Sequence, residues 1–136
     1  MCDLDHFKKI NDTHGHIVGD EVLKVFSTVL SENVRFGDTV ARFGGEEFVV
    51  ILTMTDAKGG VAVAERMRAQ MANRRLSVTE SGQPLGNVTA SFGVAQFVPG
   101  DTEATLLARA DVKLYEAKSA GRNRICADDT APPLAA

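Results

Sequence analysis

Thr39-Val40-Ala41-Arg42-Phe43-Gly44-Gly45-Glu46-Glu47-Phe48-Val49-Val50-Ile51-Leu52 is the stretch that decides the fold. Residues 39–43 and 48–52 are strand-like runs rich in β-branched and aromatic side chains. The Gly44-Gly45 pair between them reads as a tight hairpin turn, with both glycines at positive φ. The turn sets two carboxylates, Glu46 and Glu47, beside backbone that carries no side chains. Carboxylates hold hard cations such as Mg2+, and bare glycine backbone lets a bulky anionic ligand approach. The combination points to metal-assisted chemistry on a phosphorylated substrate. The plainer alternative is an ordinary hairpin with a solvated acidic shoulder.

Working outward, residues 1–4 read as the end of a strand and Asp5–Thr13 as a short helix with Asp5 as N-cap. Val22, Phe26, Val29, Leu30 and Val34 recur at helical spacing and predict a helix from about Asp20 to Val34. Val61, Ala64, Met67 and Met71 mark the buried stripe of a helix over 57–72. Residues 76–79 read as a short edge strand and 81–86 as a loop. Val88, Ala90, Phe92 and Val94 alternate as in a strand. A helix follows over 103–117, with Gly121 as its stop, and then a short strand over 124–127. Strand, helix, helix, hairpin, helix, strand, helix, strand predicts an α+β ferredoxin-like palm. Its central sheet would be mainly antiparallel, with flanking helices and the start of the chain beside the hairpin.

Composition narrows the function classes. A chain of 136 residues, 44% hydrophobic and 24% charged, is one soluble globular domain. The domain is expected over 1–127, with a disordered tail over 128–136 that contains Pro132-Pro133. A net charge of −3 gives no electrostatic case for nucleic acid or a membrane surface. No apolar run approaches a transmembrane length, and the first residues do not read as a signal peptide. Cys2 and Cys126 lack metal-ligand spacing and read as buried free thiols of a cytoplasmic protein.

Asp3-Leu4-Asp5-His6-Phe7-Lys8 lies where the first strand ends. A carboxylate there would face Glu46 and Glu47, and such a gathering repels itself unless a cation sits between. The alternative is a solvated Asp3. His14 and His16, two residues apart around a glycine, read as capping or packing residues rather than metal ligands.

The five residues Gly44-Gly45-Glu46-Glu47-Phe48 would arise by chance in about one chain in ten thousand of this length. They resemble the GGEEF variant of the signature of the GGDEF family, the diguanylate cyclases. The family also reads D-x-D-x-F-K-x-x-N-D-x-x-G-H-x-x-G-D, and residues Asp3 to Asp20 match at every specified position. Arg109-Ala110-Asp111 and Leu114-Tyr115-Glu116-Ala117-Lys118-Ser119-Ala120-Gly121-Arg122-Asn123 match its R-A-D and L-Y-x-A-K-x-x-G-R-N. The resemblance runs to about residue 125.

It implies a diguanylate cyclase, which condenses two GTP into cyclic di-GMP and two pyrophosphates as a homodimer. Asp3 and Glu46 would ligate Mg2+ by side chain and Leu4 by its carbonyl, with two metals per site and Mn2+ as a substitute. Glu47 would hold the second metal or assist deprotonation of the ribose 3′-hydroxyl. Asn11 and Asp20 would read guanine. Lys8, Lys118 and Arg122 would hold the triphosphate, with backbone N–H groups of His6 and Phe7, beside the bare backbone of Gly44 and Gly45.

Arg35-Phe36-Gly37-Asp38 stands where the family has an inhibitory R-x-x-D product site, with Arg66 as its second arginine. A helix-end salt bridge is the plain alternative for Arg35 and Asp38. The family normally continues upstream through the rest of the first strand, a helix and a D-x-L-T-G-L-x-N-R segment. The resemblance therefore implies a chain shortened at its start, with a regulatory domain upstream and Asp3 on an end that frays. Two other readings follow: a catalytically inactive fragment, or a module that only senses cyclic di-GMP.

Overall fold

The computed structural model describes residues 1–128. Nine elements follow in order: β1 (Cys2–Leu4), α1 (Phe7–His14), α2 (His16–Glu32), β2 (Thr39–Arg42), β3 (Glu47–Ile51), α3 (Ala57–Asn73), β4 (Ala90–Val94), α4 (Glu103–Ser119) and β5 (Ile125–Ala127). The expected order of elements holds. One five-stranded sheet runs β2-β3-β1-β4-β5, antiparallel except for the parallel pair β4–β5. No helix among the described residues is long and apolar enough to cross a membrane.

The register divides the sheet into two faces. Cys2 lies opposite Phe48 and Phe92, and Leu4 opposite Ala90. These residues form one core with Val22, Phe26, Val29 and Leu30 of α2 and Met67 and Met71 of α3. Phe26 meets Phe48 and Phe92 edge to face, with centroids 5.4 and 6.3 Å away. Asp3 lies opposite Glu47 and Ser91, so period-2 alternation sends these three to the other face. That face carries α4, which packs so closely that a Cβ on Gly93 would lie 2.1 Å from the Ala110 carbonyl oxygen.

Asp3 does not fray. Its strand is paired on both sides, and the Met1 ammonium donates to the Gly93 carbonyl at 2.8 Å. Asp3 itself is only 3% exposed, so it is not the solvated residue of the plain reading. Other expectations are corrected. Gly44 and Gly45 are absent from the positive-φ glycines, and the hairpin closes through residues 43–46. There the N–H groups of Phe43 and Gly44 both donate to the Glu47 carbonyl, at 2.8 and 3.2 Å. Asp5 is not the N-cap of α1: His6 takes that position at φ 54, with no side-chain cap.

Residues 76–79 form no strand and contribute only an isolated bridge, Ser77 to Pro84. Cys126 is half-buried rather than buried. The fold extends one residue past the expected boundary. Asp128 is buried, its N–H donates to the Val94 carbonyl, and its carboxylate accepts from Arg109 at 2.5 Å. The rest of the expected tail, 129–136, lies outside the described residues.

Candidate active site

Two strand ends and the last turn of α4 meet at Asp3. Its Oδ2 accepts from the Lys118 ammonium at 2.5 Å. Its Oδ1 is buried without a partner. Burial raises the carboxyl to about 6; Lys118 opposes this by hydrogen bond and charge, and Glu46 and Glu47 push it further up. Among the described residues no three His, Cys, Asp or Glu side chains gather tightly enough to enclose a metal. A buried, orphaned carboxylate oxygen within the field of two more carboxylates nevertheless fits a hard divalent cation. Mg2+ in particular takes one or two protein carboxylates and fills its octahedron from phosphate and water.

Local sequence shapes the rim. A Cβ on Gly44 would lie 2.9 Å from Glu47 Oε2, so a larger residue would displace that carboxylate. Gly45 has nothing near its missing side chain. Arg42 holds the turn from below: Nε donates to the Gly44 and Gly45 carbonyls at 3.2 and 3.1 Å, and Nη2 to Gly45 at 2.6 Å. Arg42 was not singled out from sequence. Its only signal was a five-donor guanidinium one residue before the turn.

On α1, Phe7 is buried while His6 and Lys8 are exposed. A Cβ on Gly19 would overlap the Asn11 side chain, at 1.8 Å from Oδ1. Only glycine there lets Asn11 lie against α2, next to exposed Asp20. Asn11 Oδ1 is the second buried oxygen without a partner. Asp3 Oδ1 and Asn11 Oδ1 are thus the two buried, unpartnered side-chain oxygens among the described residues.

Asp5 proves to be a tie between elements. Its carboxylate accepts from Thr89 Oγ1 and Ser91 Oγ, each at 2.6 Å, and from the Asn123 N–H at 3.0 Å. Gly121 ends α4 in a Schellman motif: the N–H groups of Gly121 and Arg122 return to the carbonyls of Lys118 and Ala117. Arg122 and Asn123 then take left-handed conformations, at φ 64 and 46. Asn123 also accepts from Arg68 Nη1 at 2.8 Å. The turn that carries Arg122 is therefore clamped by Asp5, just past β1, and by Arg68 on α3.

The R-x-x-D segment lies apart from these residues in sequence and makes its own cluster. Asp38 accepts from the Thr53 N–H at 2.9 Å, Thr53 Oγ1 at 3.1 Å and the Arg35 N–H at 3.1 Å. Burial would raise its carboxyl, but these bonds and the Arg35 charge outweigh it and hold it below the usual range. Arg35 Nη2 donates to the Thr53 carbonyl at 2.7 Å and Thr55 Oγ1 at 3.3 Å; its Nε stands 3.8 Å from Asp38. The pair is thus a turn staple rather than a simple helix-end salt bridge. Arg66 is exposed on α3, outside that hydrogen-bonded cluster. His14 and His16 enter no metal-ligand group among the described residues.

A family model described as "Diguanylate cyclase, GGDEF domain" matches residues 1–124. The chain belongs to the GGDEF family. It is 46% identical over 126 residues to the response regulator PleD of Caulobacter vibrioides, covering 92% of this chain and 28% of that protein. It is 41% identical over 125 residues to the diguanylate cyclase VdcA of Vibrio cholerae, covering 92% and 37%. The chain thus spans about a third of the length of these relatives. Its structure matches the GGDEF domain of DgcB from Caulobacter crescentus, solved in complex with c-di-GMP, at TM-score 0.90 and 36% identity. That match covers 93% of this chain and 74% of the other. The palm expected from sequence is accordingly the fold of this GGDEF domain.

Proposed function

We propose that this domain is a diguanylate cyclase, joining two GTP into cyclic di-GMP with release of two pyrophosphates. The observation that carries the reading is Asp3, buried opposite Glu47 with one oxygen on Lys118 and the other unpartnered. Asp3, Glu46 and the Leu4 carbonyl would hold Mg2+, with Glu47 on a second ion or on the 3′-hydroxyl proton. Mn2+ would substitute. The bound metal supplies Lewis-acid stabilisation of the phosphates and eases deprotonation of the nucleophile.

The chain's own residues do the rest. Asp20 accepts from guanine N1–H and N2–H, which adenine does not offer, and Asn11 completes the edge. Lys8, Lys118 and Arg122 neutralise the triphosphate, and the first N–H groups of α1, around His6 and Phe7, donate to it. Gly45, with nothing near its missing side chain, leaves room for the phosphates beside the carboxylates, and Gly44 makes room for Glu47. One domain binds one GTP, so two domains meet across a two-fold axis. Each 3′-oxygen forms a bond to the partner GTP's α-phosphorus as the α–β anhydride bond breaks and pyrophosphate leaves.

The test is turnover of GTP and ATP with Mg2+, with products resolved by chromatography. Cyclic di-GMP from GTP and none of the adenine product is the expected result. Equal turnover of ATP would remove Asn11 and Asp20 from base reading. No turnover of either, with cyclic di-GMP still bound, would make this a sensing module instead.

We further propose that Arg35, Asp38 and Arg66 bind the product as an inhibitory site. Paired arginines can hydrogen-bond guanine O6 and N7 and neutralise phosphate. Arg35 suits this because much of its guanidinium remains exposed while Asp38 holds its backbone. Arg35→Ala should weaken cyclic di-GMP binding by about tenfold or more, the scale of one charged hydrogen bond, while synthesis continues. Unchanged affinity in calorimetry would leave Arg35 as a turn staple only.

A further inference from the structure

The Lys118–Asp3 pair joins the two ends of the chain, α4 to β1, and both partners already have a place in the proposed site. Asp3's side chain is 4% exposed and Lys118's 31%. A carboxylate so buried needs a positive partner, and here the ammonium is that partner. Asp3 Oδ1 remains without any. A divalent ion taking up Asp3 would face the ammonium across one carboxylate, and two cations at that range repel strongly. The ammonium on Oδ2 and an ion on Oδ1 therefore compete for one negative charge.

We infer that Lys118 is the stand-in cation of Asp3: it neutralises the buried carboxylate while no divalent ion is bound, and leaves it for the anionic substrate when one is. The inference rests on the proposed metal role of Asp3. It gives Lys118 a second task beside phosphate binding, and a sign to each consequence. Lys118 lowers the affinity of the empty site for metal. Metal and triphosphate then help one another to bind, because the first frees the ammonium that the second uses, and such coupling is reciprocal. The residue type fits. Lysine is a point charge on a flexible stem that can swing, whereas an arginine fork would grip the carboxylate through two bonds. The Schellman turn at Gly121 fixes the backbone beneath Lys118, so the side chain alone has to move.

The test needs no nucleotide. Mn2+ is titrated into the full chain in alkaline buffer, with free ion followed by paramagnetic resonance. Lys118→Met should tighten Mn2+ binding by about tenfold or more, on the scale measured for close charge pairs. Lys118→Arg should weaken it, because the fork competes better. Lys24→Met, which removes an exposed lysine that pairs with Glu21 on α2, should stay within about twofold of the wild type. General electrostatics would tighten binding for Met and leave Arg unchanged; a pure phosphate-binding role would change neither. Either pattern overturns the proposal.

If Lys118→Met folds only when Mn2+ is present, the ion is replacing the missing charge, and that outcome supports the proposal. If it does not fold at all, the Arg variant decides. Failure of the domain to make cyclic di-GMP leaves this titration unaffected, so the two readings fall separately.

Discussion

Glu47→Gln is expected to lower GTP turnover by at least about a hundredfold, the scale for losing one catalytic group, and to leave the melting temperature within a few degrees of wild type. The hairpin does not depend on the charge. Phe43 and Gly44 donate to the backbone carbonyl of Glu47, and Arg42 holds the turn through the carbonyls of Gly44 and Gly45. Glutamine keeps the length that fits beside Gly44. What it removes is a negative charge opposite Asp3, where that charge disfavours ionisation of a buried carboxyl. Loss of the charge therefore relieves the empty site even as it weakens the loaded one. Turnover and stability should part company, and measuring both on one preparation makes the test. Near-normal turnover would leave Glu47 as a turn-flanking residue.

Much of the candidate site's layout is legible in the sequence. The carboxylates and glycines of the hairpin are contiguous in sequence, and strand alternation on either side sends Glu47 and Asp3 to one face once the sheet order is known. The helices were legible because their apolar stripes have a period. Legibility failed where a residue's role depends on partners far along the chain. Asp5 sits where an N-cap belongs, but its acceptors serve Thr89, Ser91 and Asn123, between 84 and 118 residues away.

Asp128 looked like the start of a tail because its neighbours are small and polar. Its Arg109 partner lies 19 residues back, across the second half of α4, a turn and β5, and Arg109 also bonds Asp101 and the Gln96 carbonyl. The double glycine misled in another way. Its purpose at Gly44 is space for Glu47 Oε2 rather than a positive φ. Sequence shows that a side chain is missing without showing what fills the place.

Asp5→Ala should be the most damaging single change to the fold. The carboxylate is 4% exposed and Ser91 fully buried. Truncation strands the buried Ser91 hydroxyl and removes the partner of the half-buried Thr89 hydroxyl and of the Asn123 N–H. Leaving a buried donor unsatisfied costs about 1–3 kcal/mol and each of the other two lost bonds about 1 kcal/mol, against a total stability of about 5–15 kcal/mol for a domain. A fall in melting temperature of roughly 10–20 °C is expected. The damage should also reach the substrate. Asn123 loses one of its two long-range anchors, and Arg122 is next to it in a left-handed turn that a non-glycine residue adopts only under constraint. Freed of that clamp, the proposed Arg122 contact with the triphosphate loses its fixed position. At temperatures where the variant remains folded, the Michaelis constant for GTP should therefore rise by about tenfold or more. Asp5→Ala melting within a few degrees of wild type would mean that the three bonds contribute little. A lower melting point with an unchanged Michaelis constant would mean that the Arg122 turn is held without Asp5, by the Schellman bonds and Arg68 alone.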